Sequence, residues 1–460
     1  MDIKEVCLRN IGCFESQCIQ LAPSENLSGN VTVFVGNNGS GKTSILKAIA
    51  TGLSWFVSRL RSETGKGTPL PELVISNGKA TGAIEITIPG EPNFGGESEN
   101  AKAGFSWTIT NTRKGRNAEE RSHLSGASAL ANHFRSALSG DEKASLPLVA
   151  FYPVERVVLD VPLKIRNKHS FDQLDGYDNS LSQGVDFRRF FEWFRNREDT
   201  ENETSLSADA LEALRNVLGD NAELWAKLRE LNASSRDRQL SAVRQAVSEF
   251  MPGFENLKVR RKPRLHMSID KDGETFNVLQ LSQGEKSLMA LVGDIARRLA
   301  MMNPGMDNPL NGDGIILIDE VDLHLHPTWQ RSIVRRLTKT FPNCQFVLTS
   351  HSPLVISDST DILVYALENG ELETLSSQYG QDVNSVLLEV METPIRNEYV
   401  DGKIKDILDA VQENEFSTAS ALIKELESHL PNDSSSMELA KAKLLLKKRE
   451  LKFAANRNVP

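Results

Sequence analysis

The sequence predicts an α/β fold, with a core interrupted by a helical insertion and followed by a helical C-terminal region. Three observations predict it. Val31–Val35 is an apolar run that feeds a glycine-rich turn and then a helical stretch from Gly41 to about Leu60. Ile315–Ile318 is a second apolar run, and it ends in two acids. Between the two, a polar stretch from about Lys164 to Gln183 leads into helical spacing that lasts to about Phe250.

From the N-terminus, Val6–Leu8 and Val31–Val35 are the first expected strands. Ala83–Ile88 and Phe105–Thr110 alternate apolar and polar residues on either side of PNFGGESEN, which predicts an antiparallel hairpin with a long loop. Leu148–Tyr152 reads as a buried strand. In the insertion Phe187, Phe190, Phe191 and Phe194 fall at i, i+3, i+4 and i+7, one helix face whose ordinary use is packing. Alternating structure returns at Leu257–Ile269, followed by a helix over Lys286–Leu299, the strand Ile315–Ile318, a helix from Thr328 and the strand Gln345–Leu348. Beyond Tyr379 the stripes Ile404, Ile407, Leu408, Val411 and Leu422, Leu426, Leu430 predict further helices, and a last one, Met437–Phe453, is basic on one side. The expected divisions are an N-terminal core lobe (1–163), the insertion (164–256), a C-terminal core lobe (257–378) and a partner-binding or oligomerisation region (379–460).

A content of 39% hydrophobic and 25% charged residues is that of a globular chain able to bury a core. The net charge of -9 argues against bulk attraction to nucleic acid, so any such contact is expected to be local. MDIKEVCLRN lacks the apolar centre of a secretory signal. The most apolar helical stretch, Ser287–Met302, is short and interrupted by Asp294, Arg297 and Arg298, so no membrane association is expected and the cytoplasm is the expected location. Cys7, Cys13, Cys18 and Cys344 show no zinc-ligand spacing and are expected to be reduced, partly buried thiols.

The chemistry concentrates in five places. Gly36-Asn37-Asn38-Gly39-Ser40-Gly41-Lys42-Thr43 fits the phosphate-binding pattern G-x-x-x-x-G-K-[ST] at a strand-to-helix junction. Its N–H groups are expected to cradle phosphates, Lys42 to reach the β and γ groups and Thr43 to offer a hydroxyl to Mg²⁺, with Ser44 in the same ATP-binding set. Asp319, at the end of Ile315–Ile318, is expected to hold Mg²⁺. Glu320 then has no metal to satisfy and is expected to be the general base that polarises the attacking water; capping the next turn is the bland alternative. In Leu281-Ser282-Gln283-Gly284-Glu285, the serine, the flexible glycine and the amides opening the next helix make a donor-rich anion site, with an ordinary helix cap as the alternative. His351 follows the apolar strand Gln345–Leu348, where a lone histidine is more often structural. Asp322, His324 and His326 can also be read as metal ligands, although no fuller ligand set is evident.

In this order the residues resemble an ABC-type ATPase, and Leu281–Glu285 resembles the LSGGQ signature of that family. The resemblance implies that the signature of one subunit closes on the γ-phosphate held by another. It also implies that His351 is the switch histidine at the γ-phosphate and that Asp322 lies in the loop communicating across the dimer interface. One element departs: Phe151-Tyr152-Pro153-Val154-Glu155-Arg156 has no glutamine where the family places one against Mg²⁺, and whether Arg156 or a glutamine elsewhere fills the gap stays open.

The opening LRNIGCFES, followed by VTVFVGNNGSGKTSILKAI, resembles the soluble branch that includes RecF, structural-maintenance and overcoming-lysogenization-defect (OLD) proteins, which implies a P-loop NTPase with an ABC-type head. The insertion lacks the long heptads of a structural-maintenance arm, and the C-terminal region lacks the paired carboxylates of the OLD nuclease domain, so no nuclease is expected on this chain. FYPVER, LSQGEKS, IDEVDLHLHPTWQ, LTSHSP and Met391–Arg396 with its following basic helices are similar to the PtuA-type ATPases of Septu anti-phage systems, also found beside some retron reverse transcriptases. That resemblance implies a homodimer at minimum, a higher homo-oligomer built from it, the HNH endonuclease PtuB as partner and, in the retron setting, the reverse transcriptase and its msDNA. The expected function is ATP-gated control of a separate nuclease. The alternative is a RecF-type repair or chromosome ATPase that binds DNA itself through Arg260-Arg261-Lys262-Pro263-Arg264 and Lys447-Lys448-Arg449.

Overall fold

The N-terminal alternation becomes an antiparallel hairpin, β1 (Glu5–Ile11) and β2 (Phe14–Gln20), followed by β3 (Val31–Val35) and the helix α1 (Lys42–Arg61). This computed structural model describes the chain except for residues 25–26, 91–103, 118–119, 155–170, 183, 205–235, 369, 392, 394–396, 430–444 and 450–460. The expected hairpin forms between β4 (Thr81–Ile88) and β5 (Phe105–Thr112), with Ile86 opposite Trp107; its loop PNFGGESEN lies outside the described residues. β2-β1-β4-β5 is one sheet, and α2 (Ser125–Gly140) follows it. Its apolar face, including Val6, Leu8, Ile84 and Trp107, is buried. Helix α1 approaches that face closely: Trp107 Nε1 donates to the Gly52 carbonyl at 3.0 Å, and a Cβ on Gly52 would stand 2.2 Å from Ile86.

One expectation is overturned here. Cys7 and Cys18 stand opposite one another in the β1–β2 register and are joined in a disulfide, while Cys13 and Cys344 are free. A separation of 11 residues carries no local signal; the register is what sets the two side chains on one face.

The rest of the larger unit contains β6 (Leu148–Tyr152), α3 (Phe187–Thr204), α4 (Arg238–Phe250), β7 (Phe254–Arg260), β8 (His266–Lys271), β9 (Glu274–Asn277), α5 (Gln283–Met302), β10 (Gly314–Ile318), α6 (Ile333–Thr340), β11 (Cys344–Ser350), β12 (Ile362–Glu368) and β13 (Glu371–Leu375). Six of the strands form the central sheet in the order β13-β12-β3-β11-β10-β6, parallel apart from the edge strand β13. Every residue of β3, β6, β10 and β11 is buried, as largely apolar strands in a doubly covered parallel sheet require. β7-β8-β9 is a separate antiparallel sheet. The phenylalanine stripe of α3 is core: Phe187, Phe190, Phe191 and Phe194 are buried, and a Cβ on Gly293 of α5 would meet the Phe190 ring at 3.0 Å.

The charges that interrupt Ser287–Met302 are interior. Asp294 Oδ1 accepts from Arg297 at 2.7 Å, and Oδ2 accepts from Arg298 Nε at 2.7 Å and from the Tyr152 hydroxyl at 3.0 Å. Arg298 also donates to the Gly176 and Asp178 carbonyls. Burial pushes the Asp294 pKa up, but the Arg298 and Arg297 guanidiniums outweigh it, and the carboxyl lies below its ordinary value. α5 is thereby tied to β6 by a paired, hydrogen-bonded ionic cluster, the form in which buried charge is tolerated.

The chain divides into two compact units, Met1–Val383 and Asn384–Pro460. In the second, α7 (Glu398–Gln412) and α8 (Phe416–His429) bury Ile404, Ile407, Val411 and Leu426, with Leu408 and Leu422 partly buried against them; Leu430 and most of Met437–Phe453 lie outside the described residues. Arg449 donates to the carbonyls of Val411 and Gln412, so one member of the basic run caps the C-terminus of α7. Among the described residues no helix is long and apolar enough to cross a membrane.

Candidate active site

The C-terminal ends of the parallel strands build the site. β3 runs straight into the phosphate-binding loop, where Gly36, Gly39 and Gly41 all have positive φ. A Cβ on Gly41 would stand 2.8 Å from both Cys13 Sγ and the Phe14 ring, so the tip of the β1–β2 hairpin seats against the loop, and Cys13 Sγ donates to the Ser40 carbonyl at 3.4 Å. That contact gives LRNIGCFES a structural purpose. Gly39 has open space where a Cβ would point. Lys42, the first residue of α1, turns back so that Nζ donates to the Gly36 and Asn37 carbonyls at 2.8 Å each. Burial lowers its pKa, and the charges of Asp319, Glu320 and Asp322 oppose that shift.

The acids stand at the end of β10, one strand removed from β3. Asp319 is buried and its N–H donates to the Tyr152 carbonyl. Glu320 is half-buried and left-handed, with φ 46°. Asp322 Oδ1 accepts from Ser350 Oγ at 2.7 Å and from the His351 N–H at 3.3 Å, so within its own chain it holds the loop that carries His351. A cavity of about 200 Å³ is lined by Asn38, Gly39, Gly41, Lys42, Thr43, Ser44, Asp319, Glu320 and His351. Gly36, Asn37 and Ser40 form the loop behind that lining.

The signature residues do not join this cavity within one chain. Ser282 is the N-cap of α5 and forms a capping box with Glu285, which also pairs with Lys271 at 2.8 Å. Leu281 is buried, Ser282 and Gln283 are exposed, and Gly284 lies so near the His324 carbonyl that a Cβ would stand 2.6 Å from it. Asp322, His324 and His326 do not converge as metal ligands: His326 caps the turn of helix at Pro327–Gln330 and Asp322 is held by Ser350. Glu155 and Arg156 lie outside the described residues. Sequence reasoning missed Thr349, Cys13, Phe14 and the link from Tyr152 to Asp294; each depends on a partner far along the chain.

The donor set fits a Mg²⁺-bound polyphosphate. The Thr43 hydroxyl and the Asp319 carboxylate are hard oxygen ligands, and Lys42 with a glycine-rich loop opening a helix suits phosphate oxygens. A second cavity of about 500 Å³, lined by Gly12, Lys47, Leu70, Val74 and Phe151 among others, shares Ser44 with the first.

Fold and site define a P-loop ATPase. The family described as "AAA domain, putative AbiEii toxin, Type IV TA system" matches residues 31–357, and the one described as "AAA ATPase domain" matches residues 1–54. The chain is 36% identical to "Retron Ec83 probable ATPase" of Escherichia coli, over 80% of this chain and 72% of that one. It is 31% identical to "Retron Vc95 probable ATPase" of Vibrio cholerae serotype O1 biovar El Tor, over 85% and 80%. With "Septu protein PtuA" of Bacillus mycoides (strain KBAB4) it shares 40% identity over 23% of this chain and 15% of that one. The chain belongs to that AAA-domain family and to the family of the retron ATPases. Among solved structures, the Smc head bound to the C-winged helix domain of ScpA is similar at 14% identity and a TM-score of 0.46, covering 82% of this chain and 98% of that one.

Proposed function

We propose that this chain hydrolyses Mg²⁺-ATP at a site completed by a second copy of itself, and that the nucleotide cycle controls a separate HNH nuclease of the PtuB type in anti-phage defence. One observation carries the reading. The cavity of about 200 Å³ gathers the loop, the acids and His351, yet it is smaller than the roughly 300–1,000 Å³ of whole small-molecule sites. The donor-rich start of α5 at Ser282–Glu285 stands outside it.

In this reading the loop N–H groups and Lys42 hold the β and γ phosphates, and the adenosine end extends toward the larger cavity that shares Ser44. Thr43 and Asp319 hold Mg²⁺, which when bound neutralises phosphate charge. Glu320 accepts a proton from the water whose oxygen attacks the γ-phosphorus, the bond to the ADP oxygen breaks, and phosphate is released. His351 donates to a γ-phosphate oxygen. Ser282 and the amides of Gln283–Glu285 from the second copy close on the same group, with Asp322 in the loop that communicates between copies. Residues 1–163 and 257–378 serve as the two lobes, 164–256 as the insertion and 379–460 as the region for partners or higher assembly. Similarity to the retron ATPases and, over 113 residues, to the Septu protein PtuA supports a place in such a defence system, where this reading expects a nuclease and, in a retron, the reverse transcriptase and msDNA as companions. Affinity purification from the native host with ATP tests the partnership: an HNH nuclease is the expected companion, and recovery without any nuclease contradicts it.

A further inference from the structure

We infer that Thr349 is a positioning residue of the hydrolytic site, whose single hydroxyl sets both the carboxylate of Asp319 and the backbone that carries Glu320. The inference rests on the ATPase reading above. Successive side chains of a strand point to opposite faces, so two adjacent acids cannot both reach one cavity while the chain stays extended. The chain therefore leaves strand geometry after Asp319: Glu320 takes φ 46°, a left-handed conformation disfavoured for any residue with a Cβ. Leaving the ladder would strand the Glu320 N–H. Thr349 Oγ1 accepts it at 2.7 Å.

The same hydroxyl has one hydrogen, and it is donated to Asp319 Oδ1 at 2.6 Å. The hydrogen and one lone pair of the hydroxyl are thus engaged, one by each acid. The Val321 N–H then returns to the Thr349 carbonyl at 2.9 Å, closing the turn on the same residue. Thr349 is fully buried, so water has no route to replace the hydroxyl. Its neighbour Ser350 donates instead to Asp322 and offers no substitute. Glu320 is strained and aimed, and Asp319 is oriented, by a residue that does not itself line the cavity.

Thr349→Val keeps the shape and removes the hydroxyl; Thr349→Ser keeps the hydroxyl. Each is compared with the wild-type full chain in three measurements: calorimetric binding of a non-hydrolysable ATP analogue with Mg²⁺ and with EDTA, the Mg²⁺ dependence of ATP turnover, and the melting temperature. For Thr349→Val, binding in EDTA is expected to stay within about twofold of wild type, while the gain in affinity from Mg²⁺ falls about tenfold and kcat falls at least about tenfold. Thr349→Ser is expected to recover both to within about threefold. A stable Thr349→Val with wild-type Mg²⁺ response and kcat overturns the inference. So does equal impairment of both variants in step with lost thermal stability, which marks a packing role. Glu320→Gln measured alongside separates the two levels: wild-type turnover in that variant defeats the site reading itself, whereas an inactive Glu320→Gln beside a normal Thr349→Val defeats only the role of Thr349.

Discussion

Replacing Asp294 by asparagine removes the carboxylate paired with both buried arginines. Asp294 is 0% exposed and Arg297 and Arg298 are 1% exposed, so the guanidiniums have no solvent to turn to. The carboxylate receives two charge-assisted bonds at 2.7 Å and the Tyr152 hydroxyl at 3.0 Å. An asparagine retains one oxygen for these donors and turns an NH₂ toward a cation. Breaking a buried pair in this way costs about 3–5 kcal/mol, against about 1.5–3 kcal/mol for Tyr152→Phe, which removes a single bond to the charged group. Urea unfolding of the full chain at neutral pH measures both. The pH dependence has a definite sign: the folded-state pKa of Asp294 is lowered, so its contribution is complete above the unfolded value of about 3.9 and is lost as pH falls through the folded one. The deficit of Asp294→Asn should therefore be full at pH 7 and shrink in acid. A loss under about 1 kcal/mol at pH 7 would refute the claim that the cluster anchors α5 to β6.

The other predictions concern the cavity and the core. Lys42→Ala should lose ATP binding, measured by calorimetry, because the buried ammonium is the cation of the loop. Glu320→Gln should keep ATP affinity within about threefold but lower steady-state hydrolysis by at least about 100-fold; unchanged turnover would mean another group takes the proton. Phe190→Ala should destabilise the chain by about 3–5 kcal/mol in urea unfolding, since the ring is fully buried between its neighbours in α3 and Gly293 of α5.

What could be read from the sequence follows from range. β3, β6 and β10 were legible because strands covered on both faces are largely apolar, and the Phe187–Phe194 stripe because helix periodicity is local. Cavity residues such as Lys42, Thr43 and Asp319 were legible because phosphate chemistry demands those types at the end of a strand. Features set by pairing were hidden. The Cys7–Cys18 bridge needs the hairpin register, and β13, with sequence ELETL, is an edge strand whose residues are all exposed or only partly buried. Asp294, Arg297 and Arg298 read as interruptions of an apolar helix: their i, i+3 and i+4 spacing is local, but their burial depends on Tyr152 and the carbonyls of Gly176 and Asp178, far along the chain. Thr349 was passed over for the same reason, since its hydroxyl acquires its task only when β10 lies beside β11.

The central claim, that two copies share each site, is tested most directly by mixing two disabled chains. Lys42→Ala lacks the phosphate-loop cation and Ser282→Arg blocks the signature at the start of α5. Each alone should be inactive, with nucleotide binding retained in Ser282→Arg. Random pairing of equal amounts makes about half of the dimers mixed, each with one intact composite site, so the mixture should recover roughly a quarter of wild-type turnover. A mixture no more active than its two components, or a Ser282→Arg chain that hydrolyses ATP unaided, would contradict the shared site.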